Sequence, residues 1–270
     1  MPDADEIQLE SNTVERWCSD LIECTSLQGK LTPPVTPRQW MSPSPAAIRL
    51  KHPGRPQEFD LIGKTRRSIK KHQLVSPRWR AHLLHTFLHH ELQAAELMAW
   101  AILAFPDTPV SFRQGLLKIC KDELRHLDLY RQHIETLGHQ VGDFPVRDWF
   151  WQRVQTCESP LQFVALMGLG LEGSNLDHTQ RFTQWFREAG DTEGAAIQEQ
   201  IGNEEIAHVR FAVHWFSEWT EGLDFDQWRE ALVKPLTPTM FRGPQIDRQR
   251  RLAAGMTEEF LTALESWSSQ

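Results

Sequence analysis

Two pairs of the form Glu-x-x-His lie far apart in this 270-residue chain, and each follows a lone glutamate at a similar distance. Glu91 precedes Glu123 by 32 residues, and Glu172 precedes Glu205 by 33. One helical hairpin with an inward carboxylate is therefore predicted to occur twice. Carboxylates and imidazoles in this arrangement are the ligands of a two-metal site inside a four-helix bundle. The predicted ligands are Glu91, Glu123, His126, Glu172, Glu205 and His208.

Each predicted ligand lies on a helical stripe that is otherwise apolar. Residues three, four and seven positions apart share one face of a helix. Around Glu91, these positions are occupied by Leu84, Phe87, Leu88, Ala94, Ala95 and Met98. The other carboxylates have mostly apolar neighbours at the same spacings, so all four are expected to point at the core.

Four carboxylates in one core need compensation, because burying an unpaired carboxylate costs several kcal/mol or forces it to take a proton. Two divalent cations would balance the four charges, and the two histidines would add neutral nitrogen ligands. We expect two iron ions as cofactors, with manganese as the alternative at one or both positions.

The choice of glutamate in the first hairpin follows from its geometry. If the first two helices are antiparallel with a turn near residue 107, Glu91 mirrors Glu123, and Glu96 lies about one and a half turns away. Glu91 is the predicted ligand and Glu96 the reserve. The same construction near residue 189 pairs Glu172 with Glu205.

Four long periodic segments position these residues, and their links are short, long and short, as in ferritin-like bundles. We predict an all-α fold with helices over about 77–104, 110–137, 159–189 and 192–220. The long link between the second and third helices is a crossover.

The predicted organisation has three regions. Residues 1–76 hold an N-terminal helix and a Pro-rich segment that wraps the surface, because Pro excludes continuous helix and central strand. Residues 77–220 form the ferritin-like four-helix bundle with its two-metal site. Residues 221–270 form an extension with short helices near 225–233 and 257–267, joined by a loop.

Several motifs carry a family resemblance. The segments HHELQAAEL (89–97), KDELRH (121–126), GLGLEGSNLDHT (168–179) and NEEIAHVRFAVHWF (203–216) resemble the bacterial ferritin-like family of unknown function 455. The six ligands resemble those of the wider ferritin-like di-iron carboxylate superfamily, over roughly residues 77–220. This resemblance implies a fold and a metal site, and it implies no substrate.

Two acids are predicted to support the histidines. Asp122 and Glu204 each precede the glutamate of a Glu-x-x-His pair. Metal-bound imidazoles usually donate their second N–H to a carboxylate. We predict that Asp122 accepts this hydrogen bond from His208 and that Glu204 accepts it from His126. The alternative is that each acid faces the solvent.

Tyr130, the single tyrosine, follows His126 by four residues on the inward face. This spacing resembles that of the radical-forming tyrosine of the ribonucleotide reductase small subunit, so Tyr130 is a candidate catalytic residue. Core packing with one hydrogen bond is the alternative.

Other polar residues are interpreted as structural. The histidines at 82, 85, 89 and 90 are expected on the surface or between helices. The arginines at 248, 250 and 251 are expected to start a solvated helix, and the alternative is that they cover the bundle mouth or bind an anion. The basic run at 64–72 is expected to be a solvated face, with a partner or phosphate contact as the alternative.

Composition limits the function class. The chain has a net charge of -7, an acidic start and four scattered Cys, and it lacks an apolar run of the roughly 20 residues that span a bilayer. We expect a cytoplasmic protein with reduced thiols that does not bind a membrane, and the charge argues against a mainly electrostatic nucleic-acid binder, although a local patch could still act.

The leading functional prediction is an oxidoreductase that activates O2 or peroxide to oxidise or hydroxylate an unknown substrate. Three alternatives stay open at this point: a ferroxidase, iron-handling or peroxide-removing protein, a tRNA-modifying hydroxylase, and a non-catalytic bundle. A homodimer is left open as its assembly.

Overall fold

The computed structural model describes residues 8–63 and 68–268, and these residues are helical without a β-strand. Isolated bridges join Thr13 to Gln39 and Leu61 to Val146. The all-α prediction is confirmed. The basic run at 64–72 lies partly outside the described residues, because 64–67 are not described.

Three of the four long helices follow the predicted bounds to within a residue. In chain order, the helices are α1 (Val14–Glu23), α2 (Leu27–Leu31), α3 (Pro77–Ala104), α4 (Val110–Thr136), α5 (Trp151–Val154), α6 (Pro160–Phe163), α7 (Gly173–Glu188), α8 (Thr192–Thr220), α9 (Phe225–Ala231), α10 (Arg248–Ala253) and α11 (Glu258–Ser266). Within the described residues, none of them combines the length and the hydropathy that crossing a bilayer requires.

The third predicted helix, over 159–189, contains a break in its hydrogen-bond pattern. A π-helical segment, Val164–Glu172, separates α6 from α7. π-helices are rare and often lie at functional sites, because the wider turn re-aims the side chains around it. Every residue of this segment is buried. Because residues on all sides of the segment are buried, its sequence has no one-sided apolar pattern, and the pattern therefore cannot distinguish a π-helix from an α-helix.

Smaller elements also differ from prediction. The segment predicted as loop, residues 234–245, contains a short 3-10 helix, Pro238–Phe241. The predicted N-terminal helix is two shorter helices, since Cys24 leaves helical geometry after α1. The short helix α5 interrupts the crossover. The 3-10 helix, α2 and α5 are four or five residues long, which is too short to produce a clear sequence period.

The described chain forms two compact units. The first comprises residues 8–63, 84–131 and 140–155. Within it, the Pro-rich segment lies along α3 and is held by its own backbone groups: Ile48 N donates to Leu103 O at 2.9 Å, and Leu50 O accepts from the side-chain Nε1 of Trp100 at 3.1 Å. The wrapping segment is thereby fixed to a helix that carries a predicted ligand.

A buried ion cluster fixes the same helix more firmly. Glu96 of α3 accepts hydrogen bonds from Lys30 Nζ at 2.6 Å and from Arg55 Nη1 and Nη2 at 2.7 and 2.8 Å. Arg55 also bonds Asp148, which accepts a further bond from His89 Nε2 at 2.9 Å. Two cations and two carboxylates balance within the cluster, as buried charges require.

The second unit comprises residues 68–83, 132–139 and 156–268, with α7 antiparallel to α8. Its C-terminal segment is held by Asp177 of α7, which accepts bonds from Arg251 Nε and Nη2 at 2.9 Å and from the backbone of Gly243 and Asp247. Arg251 is thus buried and paired, which corrects its interpretation as solvated or anion-binding. The predicted regions 1–76, 77–220 and 221–270 stay a prediction.

Candidate metal centre

The first candidate ligand group comes from α3 and α4. Glu91, Glu123 and His126 each offer a ligand atom, these atoms lie within 4.8 Å of one another, and all three residues are buried. The two helices run antiparallel, since Phe87 and Tyr130, one turn away on each helix, have ring centroids 5.8 Å apart. The short link between α3 and α4 therefore brings together residues that the sequence separates by more than thirty positions.

The second candidate ligand group comes from the π segment and α8. Glu172, the last residue of the π segment, lies with Glu205 and His208 so that their ligand atoms are within 4.8 Å of one another. All three residues are buried, with exposures of 4%, 0% and 3%. The structure thus places a lone glutamate against a Glu-x-x-His pair in each hairpin.

Both Glu-x-x-His pairs have the spacing of neighbouring metal ligands. His126 Nδ1 lies 3.1 Å from Glu123 Oε2, and His208 Nδ1 lies 3.0 Å from Glu205 Oε2. Adjacent donors around a six-coordinate ion with bonds of about 2.1 Å are about 3 Å apart. These buried Glu and His residues could therefore hold a metal ion.

Glu96, the reserve ligand, is committed elsewhere. Its carboxylate is the acceptor for Lys30 and Arg55 in the buried ion cluster, and the candidate ligand groups contain Glu91 instead. A carboxylate that already neutralises two cations is a poor metal ligand, because binding would leave those cations unpaired.

Asn175 contacts the second group and escaped the sequence analysis. Its side-chain Nδ2 donates to Glu205 Oε1 at 3.2 Å. The residue lies on α7, three positions after Glu172 and therefore on the same face. The three-residue spacing from Glu172 could have identified Asn175 in the sequence. However, a single amide beside an apolar stripe looks like any other polar residue of a helix.

The acids predicted to support the histidines have local partners. Asp122 accepts a hydrogen bond from Arg125 at 3.1 Å, and Glu204 accepts one from Gln200 at 3.1 Å. The predicted hydrogen bonds from the two histidines to these acids stay a prediction. Tyr130 is buried, and its redox role likewise stays a prediction.

Cys120 lies one turn before Glu123 and remains a neutral thiol. Burial raises the pKa of Cys120, and the nearby Glu123 carboxylate raises it further. A thiol must lose its proton to act as a strong metal ligand. Cys120 therefore adds no charge to the first group.

Two histidines of α3 form hydrogen bonds outside the candidate ligand groups. His85 accepts from Gly142 N at 2.8 Å, and His89 donates to Asp148. Burial lowers the pKa of His89, and the adjacent Arg55 opposes protonation, although Asp148 favours it. The candidate ligand groups contain none of the four α3 histidines.

Comparison with known proteins gives a family without an assigned activity. An uncharacterized protein of Haemophilus influenzae is 26% identical over 205 residues, which cover 72% of this chain and 71% of that protein. No solved structure is significantly similar to the chain. Residues 4–262 match the family described as "Protein of unknown function (DUF455)". The chain therefore belongs to this family.

Proposed function

We propose that this protein is a ferritin-like two-metal oxidoreductase. In this proposal the two candidate ligand groups together hold two iron ions, with manganese as the alternative at one or both positions. The protein would use O2 or peroxide to oxidise or hydroxylate a substrate whose identity is open. The observation that carries the proposal is the duplication of one buried group, a glutamate against a Glu-x-x-His pair.

The proposed arrangement assigns one ion to each candidate ligand group. It is supported by the composition of each group, a buried Glu-x-x-His pair beside a buried lone glutamate. We propose that Glu91, Glu123 and His126 would hold one ion and that Glu172, Glu205 and His208 would hold the other. The four-helix carboxylate proteins have the same ligand set, in which two helices each contribute a glutamate and the other two each contribute a Glu-x-x-His pair.

Charge favours metal over an empty core. Four buried carboxylates and two neutral imidazoles would balance two divalent ions, and oxygen and nitrogen donors of this kind suit iron and manganese. Two bound metal ions would supply the electrons that reduce O2 or peroxide. The chain itself holds the carboxylates in fixed positions and keeps bulk water away, since the six ligands are all at most 5% exposed.

Metal analysis of protein purified without added metal tests the proposal. We expect about two ions per chain and a visible or near-ultraviolet absorption that changes when the reduced protein meets O2. The Glu123→Ala and His208→Ala variants should each lose one of the two ions. His214→Ala is the matched control, because His214 is an exposed histidine on α8.

Each outcome is decisive if folding is checked by circular dichroism. A wild-type protein that takes up neither iron nor manganese would overturn the proposal. Retention of both ions by folded Glu123→Ala and His208→Ala would overturn the ligand assignment. Two redox-inert ions that do not respond to O2 or peroxide would leave a metal site but refute the oxidoreductase.

A further inference from the structure

The two hairpins carry different residues at the position three residues after the lone glutamate. Placing Glu172 in register with Glu91 puts Asn175 in register with Ala94, since each lies three residues later. Asn175 donates a hydrogen bond to Glu205 Oε1 at 3.2 Å. Ala94 is buried and has no donor to offer. The duplicated site is therefore not symmetric.

The amide of Asn175 fixes the orientation of Glu205. One oxygen of this carboxylate receives the Asn175 hydrogen bond, and the other lies 3.0 Å from His208 Nδ1. With both oxygens engaged and no exposure to solvent, rotation of the carboxylate is restricted. A preoriented ligand loses less freedom when it binds, and this raises affinity.

We propose that Asn175 is a positioning residue for Glu205, and that it makes the metal position of Glu172, Glu205 and His208 the first to fill. This inference rests on the proposed function, because it presupposes two metal ions. The amide is neutral, so it orients the carboxylate without removing its charge. Losing a hydrogen-bond partner of a metal ligand typically weakens metal binding about 10–100-fold.

Titration of metal-free protein with Mn(II), followed by the electron paramagnetic resonance signal of free Mn(II), tests this order. We expect two steps of unequal affinity in the wild type. Asn175→Ala should weaken the tighter step about 10–100-fold and leave the other unchanged. Asn175→Leu, which keeps a similar size and removes the donor without adding charge, should weaken the tighter step by a similar factor. Gln184→Ala, an amide truncation on the exposed face of α7, is the control.

Single-site backgrounds locate the effect. In the His126→Ala background, which should retain the position of Glu172, Glu205 and His208, adding Asn175→Ala should reduce the Mn(II) affinity by the same factor. In the His208→Ala background, which should retain the position of Glu91, Glu123 and His126, adding Asn175→Ala should leave the Mn(II) affinity unchanged. An equal loss in both backgrounds would overturn the inference, because it would show a general structural effect.

Failure of this inference is distinguishable from failure of the proposed function. If the wild type binds neither Mn(II) nor Fe(II), the proposed function fails and this inference fails with it. If the wild type binds two ions and the Asn175 variants bind them with unchanged affinity, only the positioning role is refuted.

Discussion

Lys30 and Glu96 form an ion pair that is completely shielded from solvent, with Nζ 2.6 Å from Oε1 and both side chains 0% exposed. The remaining donors of Lys30 reach Leu21 O and Ile22 O at 2.7 and 2.8 Å, near the end of α1. All three ammonium protons are therefore used. Burial lowers the pKa of Lys30, but Glu96 opposes this effect and favours the charged form.

Replacing Lys30 with Met is expected to destabilise the protein by about 3–5 kcal/mol, the usual cost of removing one partner from a buried pair. Glu96 would keep only Arg55, and two carbonyls of α1 would lose their donor. Chemical denaturation with circular dichroism measures the change. Lys71→Met is the control, because Lys71 pairs with Glu188 at the surface and such pairs contribute about 0–1 kcal/mol.

The double variant Lys30→Met, Glu96→Gln separates charge from packing. Removing both charges should recover part of the lost stability, as it does for buried pairs in general. A single variant as stable as the wild type would contradict the importance of this pair.

Asp148 should make stability depend on pH in the acid range. Burial raises the pKa of Asp148, but bonds to His89 and Arg55 more than compensate and lower it from 3.8 to about 2. A depressed folded-state pKa contributes stability that is present above about pH 4 and lost as the pH falls towards 2. The contribution is on the order of 2 kcal/mol.

Comparing Asp148→Asn with the wild type tests this dependence. The free energy of unfolding of the wild type should fall more steeply between about pH 4 and pH 2 than that of the variant. Parallel curves would show that Asp148 has an ordinary pKa. Asp60→Asn provides a comparison at an exposed aspartate.

Gly168→Ala should be harmful although Ala is normally the better helix former. A Cβ on Gly168 would lie 2.3 Å from the Cβ of Ala212 on α8, so the helices would have to move apart. We expect a loss of about 1–3 kcal/mol, as for other overpacked cores. Gly63→Ala is the control, because a Cβ there meets nothing within 4 Å. Equal thermal midpoints for both variants would argue against close packing at this position.

Metal removal should destabilise the folded protein. A ligand that binds only the native state adds about 2.7 kcal/mol at a concentration 100 times its Kd. Treatment with a chelator should therefore lower the thermal midpoint of the wild type, and adding Mn(II) or anaerobic Fe(II) should restore it. In Glu123→Ala the response of the midpoint to chelator should be smaller, because this variant keeps only the group of Glu172, Glu205 and His208 intact. A response of equal size in this variant would place the metal elsewhere.

Local signals made the long helices predictable from the sequence. α3 begins at Pro77, a residue favoured in the first helical turn, and α8 follows Asp191, whose side chain accepts from Gly194 N at 2.8 Å. The two candidate ligand groups followed from spacing on these helices. Each group lies within one hairpin, so a short link and a helical period were sufficient.

Long-range partners were not predictable in the same way. Glu96 stood in an apolar stripe and needed compensation, but its partners are 66 and 41 residues away, one in a five-residue helix and the other in the Pro-rich segment. Many Lys and Arg residues could have filled that role. The partner of Asp177 likewise comes from α10, 74 residues later. The sequence alone shows that a buried carboxylate requires a cationic partner, but only the three-dimensional structure shows which Lys or Arg is that partner.

The π segment Val164–Glu172 makes the orientation of Glu172 sensitive to chain length. Successive residues of an α-helix are separated by about 100° around the axis, and a π segment accommodates surplus residues within the same rise. Deleting one residue between α6 and Glu172 would let ordinary winding resume and would rotate α6 relative to α7. Either the apolar side of α6 or the carboxylate of Glu172 would then leave its present direction. Helix phase, as well as residue identity, therefore determines whether this glutamate can serve as a ligand.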